Sequence, residues 1–306
     1  MLAYILRRLL EVIPTLLGVA VVVFLFIHAL PGDPARLAAG PDATVQEVQL
    51  LRERFGLDKP LVVQFVYFLN NLARGNLGNS YRDGKPALLS VMNHFSLTFW
   101  LSLIAILLAA LVGILVGIAA AVYRNSWLDL GATTLAVGGI SVPSFFLGMI
   151  LIYLFAVNLR IFPVSGGQGW RGLVLPALTL AAGPLGTIAR FARSSLLEVL
   201  GEDFTRTARA KGLSSPVVVF KHALRNALIP VVTMTGLQFG FLLGGAVVVE
   251  SVFNYPGLGW LLIQSISARD YPVIEGLLLV FALEFVLVNL LVDLLYGVLD
   301  PRISYA

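Results

Sequence analysis

The segment EDFTRTARAKGLSSPVVVFKHALRNALIP, Glu202 to Pro230, is the only substantial polar and basic stretch flanked closely by long apolar runs on both sides. Glu202 and Asp203 stand where the first turn of a short helix would begin, and Arg206, Arg209 and Lys211 follow towards its end. Gly212 then supplies a left-handed stop. Acid first and base last complements the helix dipole, so the spacing predicts a real helix. A second helix is expected to restart with Ser215 as N-cap and Pro216 at the first helical position. Two short helices joined at a glycine make a compact projection beside a membrane, suited to docking on another protein.

The surroundings of this segment are those of a membrane protein. Of 306 residues, 58% are hydrophobic and only 12% charged, against about 25% charged in a typical soluble domain. Mean hydropathy is +0.90. The absence of cysteine excludes a disulfide framework and a thiol nucleophile. The net charge of +4 collects near span boundaries and reads as topology; no aromatic and basic interleaving suggests nucleic acid.

Taken in order, Leu9–Leu30 is the first apolar run, read as an uncleaved anchor because it exceeds a signal-peptide core and lacks a small-x-small cleavage site. Residues 31–97 form a large outer loop. Within it, Thr44 and Glu47 match a capping box, expected to open a helix that buries Val48, Leu51 and Phe55 and stops at Gly56. Another helix is expected from Pro60, with Leu61, Phe65, Phe68, Leu69 and Leu72 at helical spacing. It could lie on the membrane surface or, the blander reading, pack on the spans.

Phe99–Val122 is the second span. Gly131–Val157 is the third, with a kink expected at Ser141-Val-Pro143-Ser. Gly167-Gln-Gly169-Trp-Arg-Gly172 is formally a GxGxxG, but it lies between spans without strand–helix context and reads as a flexible turn. Leu173 to about Ile188, carrying Pro176 and Pro184, is the fourth span, and Ala227–Val249 the fifth. Gly236, Gly240 and Gly244 make a ridge for close helix approach on the fifth. Ser251–Pro272 reads as a polar connection and Val273–Val298 as the sixth span. The fold class is therefore all-α integral membrane, one domain over 1–306, with six transmembrane helices, a helical outer loop and the polar loop at 190–226.

Lysine and arginine set the orientation. Segments on the side of the N-terminus carry eleven, the short loops opposite carry three, and the long 31–97 loop is discounted. Both termini and the 190–226 loop are expected to face the cytoplasm. Glu284 stands near the middle of the sixth span, with Asn289 and Asp293 beyond it. An acid there costs about 2.5–3.5 kcal/mol on insertion scales, so it should meet a partner or a wet path; interhelix packing and a substrate or proton pathway both satisfy that, with Glu284 and Asp293 at best loosely on one face. Glu250 reads as interfacial, at the outer end of the fifth span. No catalytic residue and no metal set emerge: Gly84-Lys85 is followed by Pro86 and not by the Ser or Thr of a phosphate loop, and His28, His94 and His222 are scattered.

The runs DFTRTARAKGL (203–213) and HALRNALIPVV (222–232) resemble the cytoplasmic coupling loop of ABC-importer permeases, in the dipeptide, oligopeptide, glutathione and nickel group. LPGDP (30–34), YPGLG (255–259), RDYP (269–272) and LVNLLVDLLYGVLDPRI (287–303) extend the likeness over nearly the whole chain. The broader importer motif, Glu-Ala-Ala then Gly, aligned on Gly212 keeps only its second alanine, at Ala208. Its Leu-Pro falls on Leu224-Arg225, departures that mark the peptide-type subgroup.

The resemblance implies a type I importer permease, the first of a homologous pair, in a bacterial inner membrane. It implies one or two cytoplasmic ABC ATPase subunits, with ATP and Mg bound there and no cofactor on this chain. It also implies a substrate-binding protein docking on the outer side. Glu202, Asp203, Arg206, Thr207, Ala208, Arg209, Ala210, Lys211 and Gly212 would then sit in a groove of the ATPase. Dipeptides, oligopeptides or glutathione are the expected solutes, Leu237–Leu243 and Asp270–Glu275 resembling the glutathione member most. Nickel or another small solute on the same scaffold is an alternative, and a proton-coupled secondary transporter using Glu284 is a rival of another class.

Overall fold

The computed structural model describes the backbone of residues 2–29, 32–40, 42–167 and 169–299, and their side chains apart from 2–9, 245 and 295–299. Leu30 and Pro31 of the LPGDP element, Gln168 of the glycine-rich turn and residues 300–303 of the C-terminal element lie outside the described residues, as does Arg302, while the side chains of Arg7 and Arg8 are among those excepted. Among the described residues the fold is helical, with a single isolated antiparallel bridge between Asn79 and Pro86.

The helices are α1 (Leu2–Ala29), α2 (Pro34–Ala39), α3 (Val45–Arg54), α4 (Leu61–Ala73), α5 (Ala87–Val122), α6 (Trp127–Ser141) and α7 (Ser144–Leu151). They continue as α8 (Gly169–Gly201), α9 (Asp203–Ala210), α10 (Ser215–Val217), α11 (Leu224–Gly245), α12 (Val247–Val252), α13 (Leu258–Ala268) and α14 (Tyr271–Leu299). Wide-turn π-helical segments extend α7 over Ile152–Asn158 and join α10 to α11 over Val218–Ala223. Among the described residues, five helices are long and apolar enough to cross a membrane: α1, α5, α8, the 215–244 run and α14. The sixth is the expected third span, and it is broken, not merely kinked. The 127–141 and 144–158 pieces meet at 104° because Pro143 has no N–H to continue the ladder and pushes Val142 into extended backbone (ψ 123).

The chain divides into two compact units. One comprises 2–98 and 256–286. Here Thr44 and Glu47 form the expected capping box, Glu47 N–H to Thr44 Oγ1 at 3.3 Å and Thr44 N–H to Glu47 Oε2 at 2.7 Å. The helix it opens buries less than expected, however: Val48 and Leu51 are half-covered and Phe55 is 43% exposed. Helix α4 packs on α1 through Phe24, whose ring lies 5.2 Å from Phe65 and 5.8 Å from Phe68. A core of Ala87, Val91, Leu258, Val273 and Leu277 joins α5, α13 and α14.

The Ser251–Pro272 stretch is not simply a polar connection. It contains α13, whose N-cap Gly257 has no side chain to offer; Thr98 Oγ1 on α5 accepts the Leu258 N–H at 2.7 Å instead. Helix α5 likewise starts twelve residues before the expected Phe99, since Ser90, Asn93 and His94 interrupt the apolar run without interrupting the helix.

The other unit comprises 99–255 and the described residues from 287 onward. Helix α8 is its centre, packed by α6, α7, α11 and α12. It is much longer than the expected fourth span, and it absorbs Pro176 and Pro184 because neighbouring helices cover it. The glycine-rich turn is accordingly shorter than expected, with α8 already begun at Gly169. On α5, a Cβ placed at Gly117 would lie 2.5 Å from the Ala189 carbonyl oxygen of α8. Of the expected ridge on α11, Gly236 sits directly under Val292, Gly240 is buried, and a Cβ added at Gly244 would meet no neighbouring element within 4 Å.

Candidate functional site

Helix α9 forms where the charge order predicts, with Glu202 at the N-cap and Asp203 first. Its end is a complete Schellman arrangement: Gly212 N–H donates to Arg209 O at 2.9 Å and Leu213 N–H to Ala208 O at 3.3 Å. Gly212 has φ +80, a conformation that L side chains resist, and beyond its chain neighbours a Cβ there would meet nothing within 4 Å. The glycine is thus required by the backbone and not by crowding.

Two residues hold α9 down. Thr205 is fully buried, and its hydroxyl donates to Leu200 O at 2.9 Å and Glu202 O at 2.8 Å. Ala208, one turn on, is 7% exposed. The remaining residues of the segment project outward: Glu202, Asp203, Arg206, Thr207, Arg209, Ala210, Lys211 and Gly212 are all exposed. Phe204 and Leu213 add apolar surface at 42% and 39% exposure. Asp203 and Arg206 lie 3.6 Å apart with side chains 96% and 71% exposed, a pairing that solvent screens to little net worth. The surface is therefore mixed: charged and solvent-facing, with apolar edges, on a helix fixed by its buried side.

Helix α9 contacts α8 and the π-helical segment, and these share a core of Ile118 and Ala121 from α5, Leu196 from α8, Val219 and Ala223 from the π-helical segment, and Ala227 from α11, a platform for the arm. Ser195 donates to Ala227 O at 2.9 Å, tying α8 to α11. The restart after Gly212 is capped one residue earlier than expected: Ser214 is the N-cap, Ser215 is already helical, and Ser214 makes no side-chain capping bond. Proline at the second helical position tolerates this, because that N–H has no intrahelical partner in any case.

Sequence reasoning missed one polar element nearby. Arg193 of α8 donates from Nε to Asp129 Oδ1 at 2.6 Å and from Nη2 to Oδ2 at 2.8 Å. The residues are 64 positions apart, and only an acid in the first turn of α6 and an arginine late in a span hinted at it.

The polar residues of α14 are not gathered into one constellation. Glu284 is buried in the 2–98/256–286 unit, whereas Asn289 and Asp293 are half-buried in the other. The helix is continuous, so the nine residues from Glu284 to Asp293 make two and a half turns and point them to opposite sides, which corrects the expectation of a loosely shared face. Glu250 is also corrected: it is fully buried, not interfacial. Its charge, after burial itself, helps push the Tyr255 hydroxyl up to about 12.

The unit of 2–98 and 256–286 holds a cleft of about 1270 Å³, lined among others by Asp33, Arg52, Gln64, Tyr81 and Glu275. Asp33 pairs with Arg52 at 2.5 Å and caps α2 through Ala35 N–H at 3.1 Å. Burial, then the Glu275 and Asp270 charges, raises the Tyr81 hydroxyl well above the ordinary phenol range.

Against known proteins, residues 113–305 match the family described as the binding-protein-dependent transport system inner membrane component. Residues 1–102 match its N-terminal counterpart. Over 305 residues, all of both chains, the sequence is 54% identical to the glutathione transport system permease protein GsiC of Salmonella typhimurium (strain LT2). It is 52% identical over the same span to GsiC of Escherichia coli (strain K12). Among solved structures, the inward-facing MetNI methionine ABC transporter aligns with TM-score 0.56 at 20% identity, covering 69% of this chain and 96% of that one. An amino acid ABC transporter solved with histidines aligns at 0.52 and 17%, covering 70% and 94%. At those identities the structural likeness speaks to the fold.

Proposed function

Because this chain belongs to the family of binding-protein-dependent transport system inner membrane components, we propose that it forms half of the membrane pathway of an importer for glutathione or short peptides. It is a multi-pass inner-membrane permease subunit of an ATP-driven importer and carries out no hydrolysis itself. The second half of the pathway is a homologous permease. ATP and Mg are bound by one or two ATPase subunits, and a substrate-binding protein delivers the solute from outside. Both termini and α9 face the cytoplasm in this reading, which the arginine and lysine bias supports.

One observation carries the coupling role: α9 is pinned from below by Thr205 and Ala208 and closed by a glycine cap, while its charged residues stay exposed. A helix so held can be pushed as a rigid body. When the ATPases close on ATP, their groove would shift α9, and α8 and α11 would move with it. For the solute, the support is identity above 50% along the full length to glutathione permeases.

Affinity purification from mild detergent, followed by mass spectrometry, tests the assembly. A second permease and one or two ATPases are expected to co-elute, with ATPase recovery lowered but not abolished when Gly212 is made bulky. Uptake assays with labelled glutathione, dipeptides and nickel then separate the solutes. A chain that purifies alone and still transports would overturn the importer reading and turn attention to Glu284.

A further inference from the structure

Helix α8 ends at Gly201 and α9 begins at Asp203, with only Glu202, in extended backbone, between them, and α6 starts after the turn at 123–126 that leaves α5. The Asp129 side chain, 7% exposed, stands in the first turn of α6. Its carboxylate receives both bonds of the Arg193 fork, and it also accepts the Asn125 N–H at 3.0 Å. Asn125 is the left-handed residue of that turn, φ 63. Ser126 Oγ completes the corner by accepting the Asp129 N–H at 3.3 Å. One guanidinium thus holds the turn and the start of α6. A two-point grip fixes angle as well as distance, which a point charge does not.

The same two helices are interlocked further along. Gly186 of α8 lies so close to the Ala136 carbonyl of α6 that no Cβ fits, and a Cβ at Gly139 of α6 would stand 2.9 Å from the Ala182 carbonyl of α8. Close-packed backbones of this kind resist sliding. From Arg193, α8 passes through Leu196 of the platform to Leu200, whose carbonyl anchors Thr205 of α9.

We infer that Asp129 and Arg193 are positioning residues that lock the α5–α6 turn to the α8–α9 arm, so that a displacement of α9 carries α6 and α8 as one body. The inference rests on the reading of α9 as the helix that the ATPases drive. Without the pair, α9 and α8 would still move, but part of the motion would be lost as slippage at the start of α6. Hydrolysis would then continue with less transport for each ATP.

The chain has no cysteine, so Trp127→Cys on α6 and Ser194→Cys on α8, both exposed, can carry spin labels in the full complex in lipid nanodiscs. With the pair intact, the label distance is expected to be the same without nucleotide and with ATP plus vanadate. With Asp129→Asn the distance should differ between those states, and glutathione transported per ATP should fall about 5- to 20-fold, the scale of ordinary coupling energies, at unchanged complex yield. The swapped pair Asp129→Arg with Arg193→Asp should recover at least half of the ratio. If Asp129→Asn prevents assembly, Arg193→Lys, which keeps the charge but loses the fork, carries the same comparison with a smaller loss. Parent-like distances and ratio in these variants would overturn the inference. A parent complex that does not couple at all would overturn the α9 reading beneath it, whereas normal parent coupling beside an insensitive Asp129→Asn overturns the clamp alone. If glutathione is not carried, the distance comparison still decides.

Discussion

Ser80 donates its hydroxyl hydrogen to Asp270 Oδ2 at 2.5 Å across 190 positions of sequence, and Tyr81 N–H reaches the other oxygen at 3.0 Å. Asp270 is 3% exposed and directly precedes α14, with Ile274 N–H on its carbonyl at 3.0 Å. One carboxylate therefore ties the 80–86 loop to the start of the last helix. Bonds to a charged acceptor contribute about 1.5–3 kcal/mol each, and an acceptor removed from beneath buried donors costs more than it contributed.

Asp270→Ala is expected to destabilise the unit of 2–98 and 256–286 by about 3 kcal/mol, since two donors lose their acceptor. Asp270→Asn should cost less, because its oxygen still accepts one bond. Thermal unfolding of the purified protein in detergent checks the order parent, Asn, Ala. Equal midpoints for all three would refute the latch.

Tyr255 gives a pH dependence with a definite sign. The hydroxyl is 2% exposed and its titration is pushed up to about 12, first by burial and then by Glu250. A folded value above the unfolded one, about 10, means the neutral phenol favours the fold. That contribution is complete below pH 10 and is lost as pH rises towards 12. Tyr255→Phe should show a smaller fall in unfolding temperature over this window than the parent, measured by differential scanning fluorimetry. Parallel curves would show that Tyr255 titrates normally.

Much of this architecture is legible in the order of residues. Long apolar runs mark α1, α5, α11 and α14 because a bilayer demands about 20 apolar residues in helix. Helix α9 is legible because Asp203 and Arg209 match the dipole and Gly212 matches the stop. Asp129 and Arg193 were not legible, being brought together only by the packing of α6 on α8. Helix α13 was hidden for a related reason, its cap being Thr98 from a distant helix. The burial of Glu250 and the split of Glu284 from Asp293 depend on which face of each helix is covered, which composition does not state.

Helix crossings set a further test. A Cβ at Gly117 would sit 2.5 Å from the Ala189 oxygen and 2.6 Å from the Ala192 Cβ, while one at Gly131 meets nothing within 4 Å. Gly117→Ala should cost about 1–3 kcal/mol by overpacking, and Gly117→Val should abolish the folded chain. Gly131→Ala should be neutral or add up to about 1 kcal/mol by helix propensity. Unfolding midpoints and detergent-extractable yield report both, and similar behaviour of the two alanine variants would refute the close crossing of α5 and α8.

The cap of α9 separates backbone from surface. Gly212 needs φ +80 but has open space around its missing side chain. Asparagine enters the left-handed region readily, whereas a β-branched residue does so at a cost of about 1–2 kcal/mol or more. Gly212→Asn should therefore preserve the Schellman closure and most of the transport per ATP. Gly212→Val should open it, freeing the Leu213 amide from Ala208, and lower transport per ATP several-fold while the spans stay folded. Hydrogen exchange at Leu213 reads the cap directly, and reconstituted transport reads its consequence. If both variants lose transport equally while only valine frees the amide, contact at the exposed surface governs coupling, and the left-handed turn matters only for holding α9 in shape.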